Sequence, residues 1–191
     1  MRVTFTRLRD HEWGYVLIER DDGVVYRMHS GPVTAAIPHD LVHFTVEDAL
    51  EVADGIWGAI AGGVVFRSMT HVSGRRPPHA ADRSATLLRE HRDRIMRAEL
   101  LGGFIEAAAR RPVADLPRLS AKWFATSPLG APDVEGCRRA IAALHPAEAR
   151  WRVLPIGERL VLDWPAHRRA AAVQPSRRSR ERAGARRRSP R

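Results

Sequence analysis

The stretch WGYVLIERDDGVVYRMH, residues 13–29, decides the fold of the first part of the chain. Its two ends are runs of β-branched and aromatic residues, and Asp22-Gly23 between them suits a turn with positive φ. This spacing predicts a β-hairpin. The segment VTFTRL, residues 3–8, has a similar composition, so we expect three antiparallel strands by residue 30.

Helical patterns follow the hairpin, and a strand pattern closes the body. Pro38 suits a first helical turn, and Gly62-Gly63 suits a helix end. Helices are expected over residues 38–61, from Asp82 to about 110, and roughly over 133–145. The segment WRVLPIGERLVLDWP, residues 151–165, predicts two strands around PIGE. The expected fold is α+β: a small antiparallel sheet, made of an N-terminal and a C-terminal hairpin, packed on two to three helices.

The positive charge of the chain is concentrated at its C-terminal end. The net charge is +10, and residues 166–191, with ten arginines and one glutamate, carry +9 of it. This segment has no aromatic residue and cannot bury enough apolar surface to offset the entropy of ordering. We therefore expect a single domain over 1–165 and a disordered basic tail over 166–191. The tail either contacts nucleic acid or other polyanions non-specifically, or has no function.

Other features of the sequence limit the classes of protein to which the chain can belong. The single Cys137 excludes an internal disulfide, which fits a reducing compartment. The N-terminus has no charged-then-apolar leader, and the longest apolar run is too short to span a membrane. We expect a cytoplasmic protein without membrane contact. The sequence contains no P-loop, no GxGxxG, no GxSxG and no CxxC pair.

The segment IPHDLVHFTVED, residues 37–48, carries the candidate site. At about 100° per residue, His39, Asp40, His43 and Glu47 fall within one sector about 120° wide. Histidines at i and i+4 are a standard geometry for zinc. In this interpretation His39, His43 and Glu47 ligate a divalent metal, which is zinc, iron or manganese. Asp40 then orients a histidine or acts as a base.

The same residues also fit the polar face of an ordinary helix. Asp40 then complements the helix dipole, and His43 and Glu47 form a weak exposed pair. A tetrahedral metal held by three side chains needs a further ligand or water. Three histidines elsewhere are candidates for that position, and each is otherwise a surface residue: His71, His79 and His91.

The segment HDLVH, residues 39–43, resembles the HExxH motif of zinc metalloproteases, with Asp40 in place of the glutamate. The shorter acid would lie about 1 Å farther from a zinc-bound water, so the resemblance does not imply a protease. The same residues resemble the HDxxH motif of a ubiquinone-biosynthesis scaffold family, whose site adds a distant glutamate. Gly55 occupies that position here, and only Glu51 or Asp54 could substitute. The wider pattern PHDLVHF…GIWG resembles small uncharacterised actinobacterial proteins, which implies no function.

Two functions remain open from the sequence. The first is a metal-binding α+β protein that acts as a metal-dependent hydrolase or lyase through residues 39–47. The second is a non-catalytic interaction protein whose neutral body binds a protein partner, while the basic tail contacts nucleic acid. Whether the chain is an enzyme is not decided by these patterns.

Overall fold

The α+β class is confirmed by the computed structural model, which describes residues 1–9, 14–30 and 37–171. These residues form one five-stranded antiparallel sheet with strand order β4-β3-β2-β1-β5. The strands are β1 (Arg2–Thr6), β2 (Gly14–Glu19), β3 (Val25–Ser30), β4 (Met69–Ser73) and β5 (Arg159–Asp163). The helices are α1 (His39–Ala49), α2 (Ile56–Gly62), α3 (Ala80–Glu90), α4 (Arg92–Ala108), α5 (Leu116–Trp123) and α6 (Val134–Val153).

The predicted hairpin forms the centre of the sheet. Strands β2 and β3 pair in register from Gly14 opposite Ser30 to Glu19 opposite Val25, and Gly23 takes the positive φ of 77° that the turn requires. Alternate residues of these strands are buried, as expected for a sheet covered on one face. The buried set is Val16, Ile18, Tyr26 and Met28.

An aromatic cluster joins the sheet to the helices. The Phe44 ring of α1 lies 6.2 Å from the Phe5 ring of β1 and 5.3 Å from Trp57 of α2, all in edge-to-face arrangements. Trp164, just past β5, packs on Phe44 at the same 5.3 Å. Such pairs add to the stabilisation from apolar burial. They hold α1 against the sheet, and α1 in turn packs mainly on α4 and α6.

The prediction of one continuous helix over 38–61 is wrong, because the chain leaves the helix at Leu50 and re-enters it at Ile56. Glu51 has a positive φ of 56°, a conformation that an uninterrupted helix does not contain. The expected long helix over 82–110 is likewise two helices, and α3 ends and α4 begins at His91.

The C-terminal region contributes one strand rather than a hairpin. Residues 151–153, expected as strand, form the last turn of α6, which continues through Pro146. The Arg7 guanidinium satisfies carbonyls at this end, since it donates hydrogen bonds to those of Trp151, Arg152 and Leu154. A helix leaves its last carbonyls without internal partners, and a cation there also offsets the helix dipole.

The start of the predicted tail lies against the body. Arg168 forms ion pairs with Asp48 in the last turn of α1 and with Glu51 just after it, and the Ala170 amide donates to the Gly58 carbonyl at 2.9 Å. Arg168 and Ala170 therefore contact the body, whereas the tail beyond residue 171 lies outside the described residues. Among the described helices, none combines the length and the apolar character that crossing a bilayer requires.

Candidate metal centre

The two histidines of the HDLVH segment face each other on the first turn of α1. The helix begins at His39, directly after Pro38, so both imidazoles project from the same side one turn apart. Their rings are edge-to-face with centroids 4.3 Å apart, and their Nε2 atoms are 2.9 Å apart. Two ring nitrogens are thus aimed at one point beside the helix.

Glu99 of α4 supplies the carboxylate at that point. Its Oε2 atom lies 3.3 Å from Nε2 of His43 and 3.7 Å from Nε2 of His39. One ligand atom from each of the three side chains lies within 4.8 Å of the other two, so the group could hold a metal ion. The site is built across two helices that the sequence places about sixty residues apart.

One side chain of the group is buried, and the other two lie at an open rim on the protein surface. The His43 side chain is 2% exposed, whereas those of His39 and Glu99 are 50% and 56% exposed. Gly102 of α4 makes room for the buried ring, because a Cβ there would lie 2.6 Å from Nδ1 of His43. His43 is therefore fixed by packing, while the half-exposed side chains of His39 and Glu99 have room to move.

Mutual electrostatics set the protonation of the two outer residues. Hydrogen bonding and attraction to Glu99 raise the pKa of His39 above its usual value, against the opposing effect of burial. The two histidines hold the pKa of Glu99 well below its usual range, so Glu99 is a carboxylate at neutral pH. A negative oxygen is thus available, and the binding of a cation at this group would compete with protonation of His39.

Glu47, the carboxylate ligand expected from the sequence, is not a member of this group. Residues 39 and 47 are about 12 Å apart along a helix axis, so a row of three ligands on one helix reaches too far for one ion. Glu47 is fully buried, and its Oε2 atom accepts a hydrogen bond from the Trp57 amide at 3.1 Å. It thereby caps the N-terminus of α2, where the free amides favour an anion.

Burial dominates the ionisation of Glu47. Desolvation raises its pKa well above the usual value, and the amides of α2 offset this only in part. The expected exposed pair of His43 and Glu47 is wrong, since both side chains are buried. In the polar face predicted from the helical wheel, His43 and Glu47 in fact lie in the contact between α1 and α4, here called the seam.

The remaining candidates have other surroundings. Asp40 lies in the first turn of α1, partly exposed, and its charge contributes to the raised pKa of His39. The three further histidines are not part of the group of three, and each contacts another residue. The contacts are His71 with the Gly74 carbonyl, His79 with Asp82 and His91 with the Ala171 carbonyl.

Glu99 is the functional candidate that the sequence patterns missed. Its signal is indirect: Gly102 and Gly103 lie in the middle of a helix, where each glycine costs about 1 kcal/mol relative to alanine. Such a cost indicates close packing against another element. Glu99 lies one turn before Gly102 and so shares its face, which points toward the same neighbour.

A cavity of about 490 Å³ lies away from this group, between the β2–β3 turn, the end of α2 and α3. None of His39, His43 and Glu99 lines it. Its charged lining is balanced and so favours no one class of ligand: Arg20, Arg83 and Arg169 against Asp21, Asp22 and Asp82.

No family model, no curated protein and no solved structure matches this chain. The function therefore has to be argued from the geometry and chemistry of the described residues.

Proposed function

We propose that the protein binds one divalent transition-metal ion through Nε2 of His39, Nε2 of His43 and the carboxylate of Glu99. The observation that carries the proposal is the convergence of these three atoms from two helices on one point. Two imidazoles and one carboxylate are a ligand set used by catalytic zinc sites, where a water takes the fourth position. The same set with open positions also suits iron.

The distances also fit the ligand spacing of a metal site. Bonds of about 2.0–2.1 Å in a tetrahedron separate neighbouring ligand atoms by about 3.3 Å. The Glu99 oxygen lies 3.3 and 3.7 Å from the two nitrogens, close to that value. The nitrogens themselves are 2.9 Å apart and need to separate by a few tenths of an ångström, which the half-exposed His39 can do.

The open rim suits chemistry at the metal. A divalent ion with three protein ligands holds water at a free position and lowers the pKa of that water, which favours hydrolase or lyase activity. Asp40, beside His39 in the first turn, is our candidate for the base that takes the proton or for orienting a histidine. A bound ion would supply Lewis acidity, while His39, His43 and Glu99 would hold it and Asp40 would take the proton or orient a histidine.

Metal content by mass spectrometry, on the full chain purified without a histidine tag, tests the proposal. We expect about one zinc, iron or manganese ion per chain, with loss of the ion in His43→Ala and in Glu99→Gln. Glu106→Gln is the matched control, because Glu106 lies on the same helix, also raises the pKa of His39, and pairs with Arg110. We expect this variant to keep its metal.

A wild-type protein that takes up no metal, even after dialysis against excess zinc, iron(II) or manganese, would contradict the proposal. His39, His43 and Glu99 would then form only a hydrogen-bonded ion-pair group. Loss of metal in Glu106→Gln to the same degree as in Glu99→Gln would also count against it, since general charge rather than ligation would explain the binding.

A further inference from the structure

Two polar atoms beside the proposed metal site have no hydrogen-bond partner among the described residues. One is Nδ1 of His43, the ring nitrogen that faces away from Glu99. The other is Oε1 of Glu47, since only Oε2 is used in capping α2 through the Trp57 amide. Both side chains are almost fully buried, at 2% and 0% exposure, so bulk water does not satisfy either atom. Buried polar atoms without partners are rare and call for an explanation.

The two atoms lie in the same seam of the structure. His43 and Glu47 are one turn apart on α1, so their Cβ atoms are about 5–6 Å apart. On the facing helix, a Cβ at Gly102 would meet Nδ1 of His43 at 2.6 Å. Ala98, one turn earlier, bounds the Glu47 carboxyl together with Gly55, whose added Cβ would lie 2.8 Å from the Glu47 Cδ and 2.9 Å from the Ala98 Cβ. Because these residues are small, the imidazole of His43 and the carboxyl group of Glu47 fill the space between α1 and α4.

The chemistry of the two atoms is complementary. A histidine that ligates a metal through Nε2 carries its proton on Nδ1, and this N–H is almost always donated to a carboxylate, a carbonyl or water. Nε2 of His43 is the nitrogen that faces Glu99 and His39, so Nδ1 is the donor. As a carboxylate, Glu47 presents Oε1, one helical turn from His43, as a buried acceptor that no described residue uses.

We propose that Glu47 is the positioning residue for His43. In the metal-bound protein its second oxygen accepts the Nδ1–H of the ring, directly or through one water molecule. This bond holds the ring orientation and keeps the Nε2 lone pair directed at the metal. The inference rests on the proposed metal function, and it gives Glu47 two tasks: one oxygen caps α2, and the other orients a ligand.

The substitution Glu47→Gln separates the two tasks. The amide oxygen of glutamine still accepts the α2 amides, but its NH₂ group then faces Nδ1 of His43 and meets a donor with a donor. We expect the zinc Kd, measured by competition with a chromogenic chelator, to rise by about 10- to 100-fold. The melting temperature should stay at or above that of the wild type, because the cap remains and no acid is buried.

Asp54→Asn is the matched control. Asp54 also raises the pKa of Glu47, so the variant removes a negative charge that acts on the same region. Asp54 itself is at the surface and pairs with Arg94 at 3.0 Å. We expect its zinc Kd to stay within about twofold of the wild type, as for other surface ion pairs.

The outcomes are distinct. An equal zinc Kd in Glu47→Gln and wild type overturns the role of Glu47 and leaves the metal function standing, whereas no zinc binding by the wild type overturns both. If Glu47→Gln melts far below the wild type, long-range ¹H–¹⁵N spectra of the zinc-loaded wild type decide. A hydrogen-bonded proton on Nδ1 of His43 supports the inference, and zinc bound to Nδ1 overturns it.

Discussion

Glu47 projects from α1 and Glu99 from α4, two helices that pack together, yet their carboxyl groups meet different surroundings. Glu99 is half exposed beside two imidazoles, which hold its pKa well below the usual range. Glu47 is fully buried, and desolvation raises its pKa well above the usual value. Two residues of one type are thus suited to different work: one to bind a cation at a rim, the other to hold helices and rings in place from inside.

The difference shows that burial, and not residue type, assigns these roles. A helical wheel puts Glu47 beside the histidines, and on that basis alone it is the better ligand. The packing of α4 on α1 reverses the order, because α4 covers residues 43 and 47 and brings its own carboxylate to the rim at residue 39. Glycines at the seam make this approach possible, so they are the places at which to break it.

The largest effect is expected from Gly55→Ala. The new methyl group would press on the Glu47 carboxyl and on Ala98, and neither can move into solvent. Overpacking of a core and loss of a preferred helix N-cap should together lower the free energy of unfolding by about 2–4 kcal/mol. Urea denaturation monitored by circular dichroism measures the change.

A double-mutant cycle with Glu47→Ala shows whether the carboxyl group is the cause. Truncation of Glu47 removes the atoms that the new methyl group meets, so Gly55→Ala should cost clearly less in that background. An unchanged cost would mean that the strain lies with Ala98 and not with Glu47.

The next effect is expected from Gly102→Ala, which acts on His43 rather than on Glu47. The added Cβ would lie 2.6 Å from Nδ1 of the buried ring and should displace it. Overpacking by about 1–3 kcal/mol is offset by about 1 kcal/mol of helix propensity, so the net loss of stability is modest. The ring displacement should weaken zinc binding by at least about tenfold, measured by chelator competition, because ligand geometry is lost.

Gly103→Ala is the control for this prediction. It lies on the same helix, and its added Cβ would meet only the ring of Trp123, at 3.1 Å. We expect a stability change between about zero and a gain of 1 kcal/mol, with an unchanged zinc Kd. Equal zinc binding by both alanine variants would show that the room left by Gly102 is not needed for the site.

Local signals in the sequence were enough for the parts of the fold that depend on neighbouring residues. The hairpin follows from Asp22-Gly23 and its flanking β-branched runs, and the packing of His39 against His43 follows from helical spacing. The break between α1 and α2 does not, because α2 begins at Ile56 where a carboxyl group from the preceding helix, that of Glu47, accepts a hydrogen bond from its free amides. A tertiary cap leaves no local motif.

For the same reason, the sequence predicted only the two histidines of the candidate site and not Glu99. The two histidines of the proposed site lie one turn apart in the sequence, whereas its carboxylate, Glu99, comes from α4 and is brought there only by the packing of the helices. The start of the basic tail shows the same limit, since composition alone does not reveal that Arg168 reaches Asp48. Helical periodicity predicts which residues share one face of a helix, whereas tertiary packing decides which faces come into contact.

The smallest effect is the pH dependence of stability, and it distinguishes the two glutamates by sign. The folded-state pKa of Glu47 is raised, so its contribution is fully present below the unfolded pKa of about 4.5 and is lost as the pH rises toward the folded value. The variant Glu47→Gln cannot ionise at this position, so it does not lose stability in this way. The free energy of unfolding of this variant should therefore increase relative to the wild type as the pH rises from about 4.

Glu99→Gln should behave in the opposite way in metal-free protein. The folded-state pKa of Glu99 is lowered and that of His39 is raised, so the pair stabilises the wild type between those two values. The advantage disappears at acid pH as Glu99 takes up a proton, and at alkaline pH as His39 loses one. Because both side chains are half exposed, we expect no more than about 1 kcal/mol at the maximum. Urea titrations of wild type and both variants at a series of pH values, with chelator present, measure these differences. Two difference curves of the same sign and shape would mean that the glutamates share one environment, and the assignment of Glu47 to the seam and Glu99 to the rim would fail.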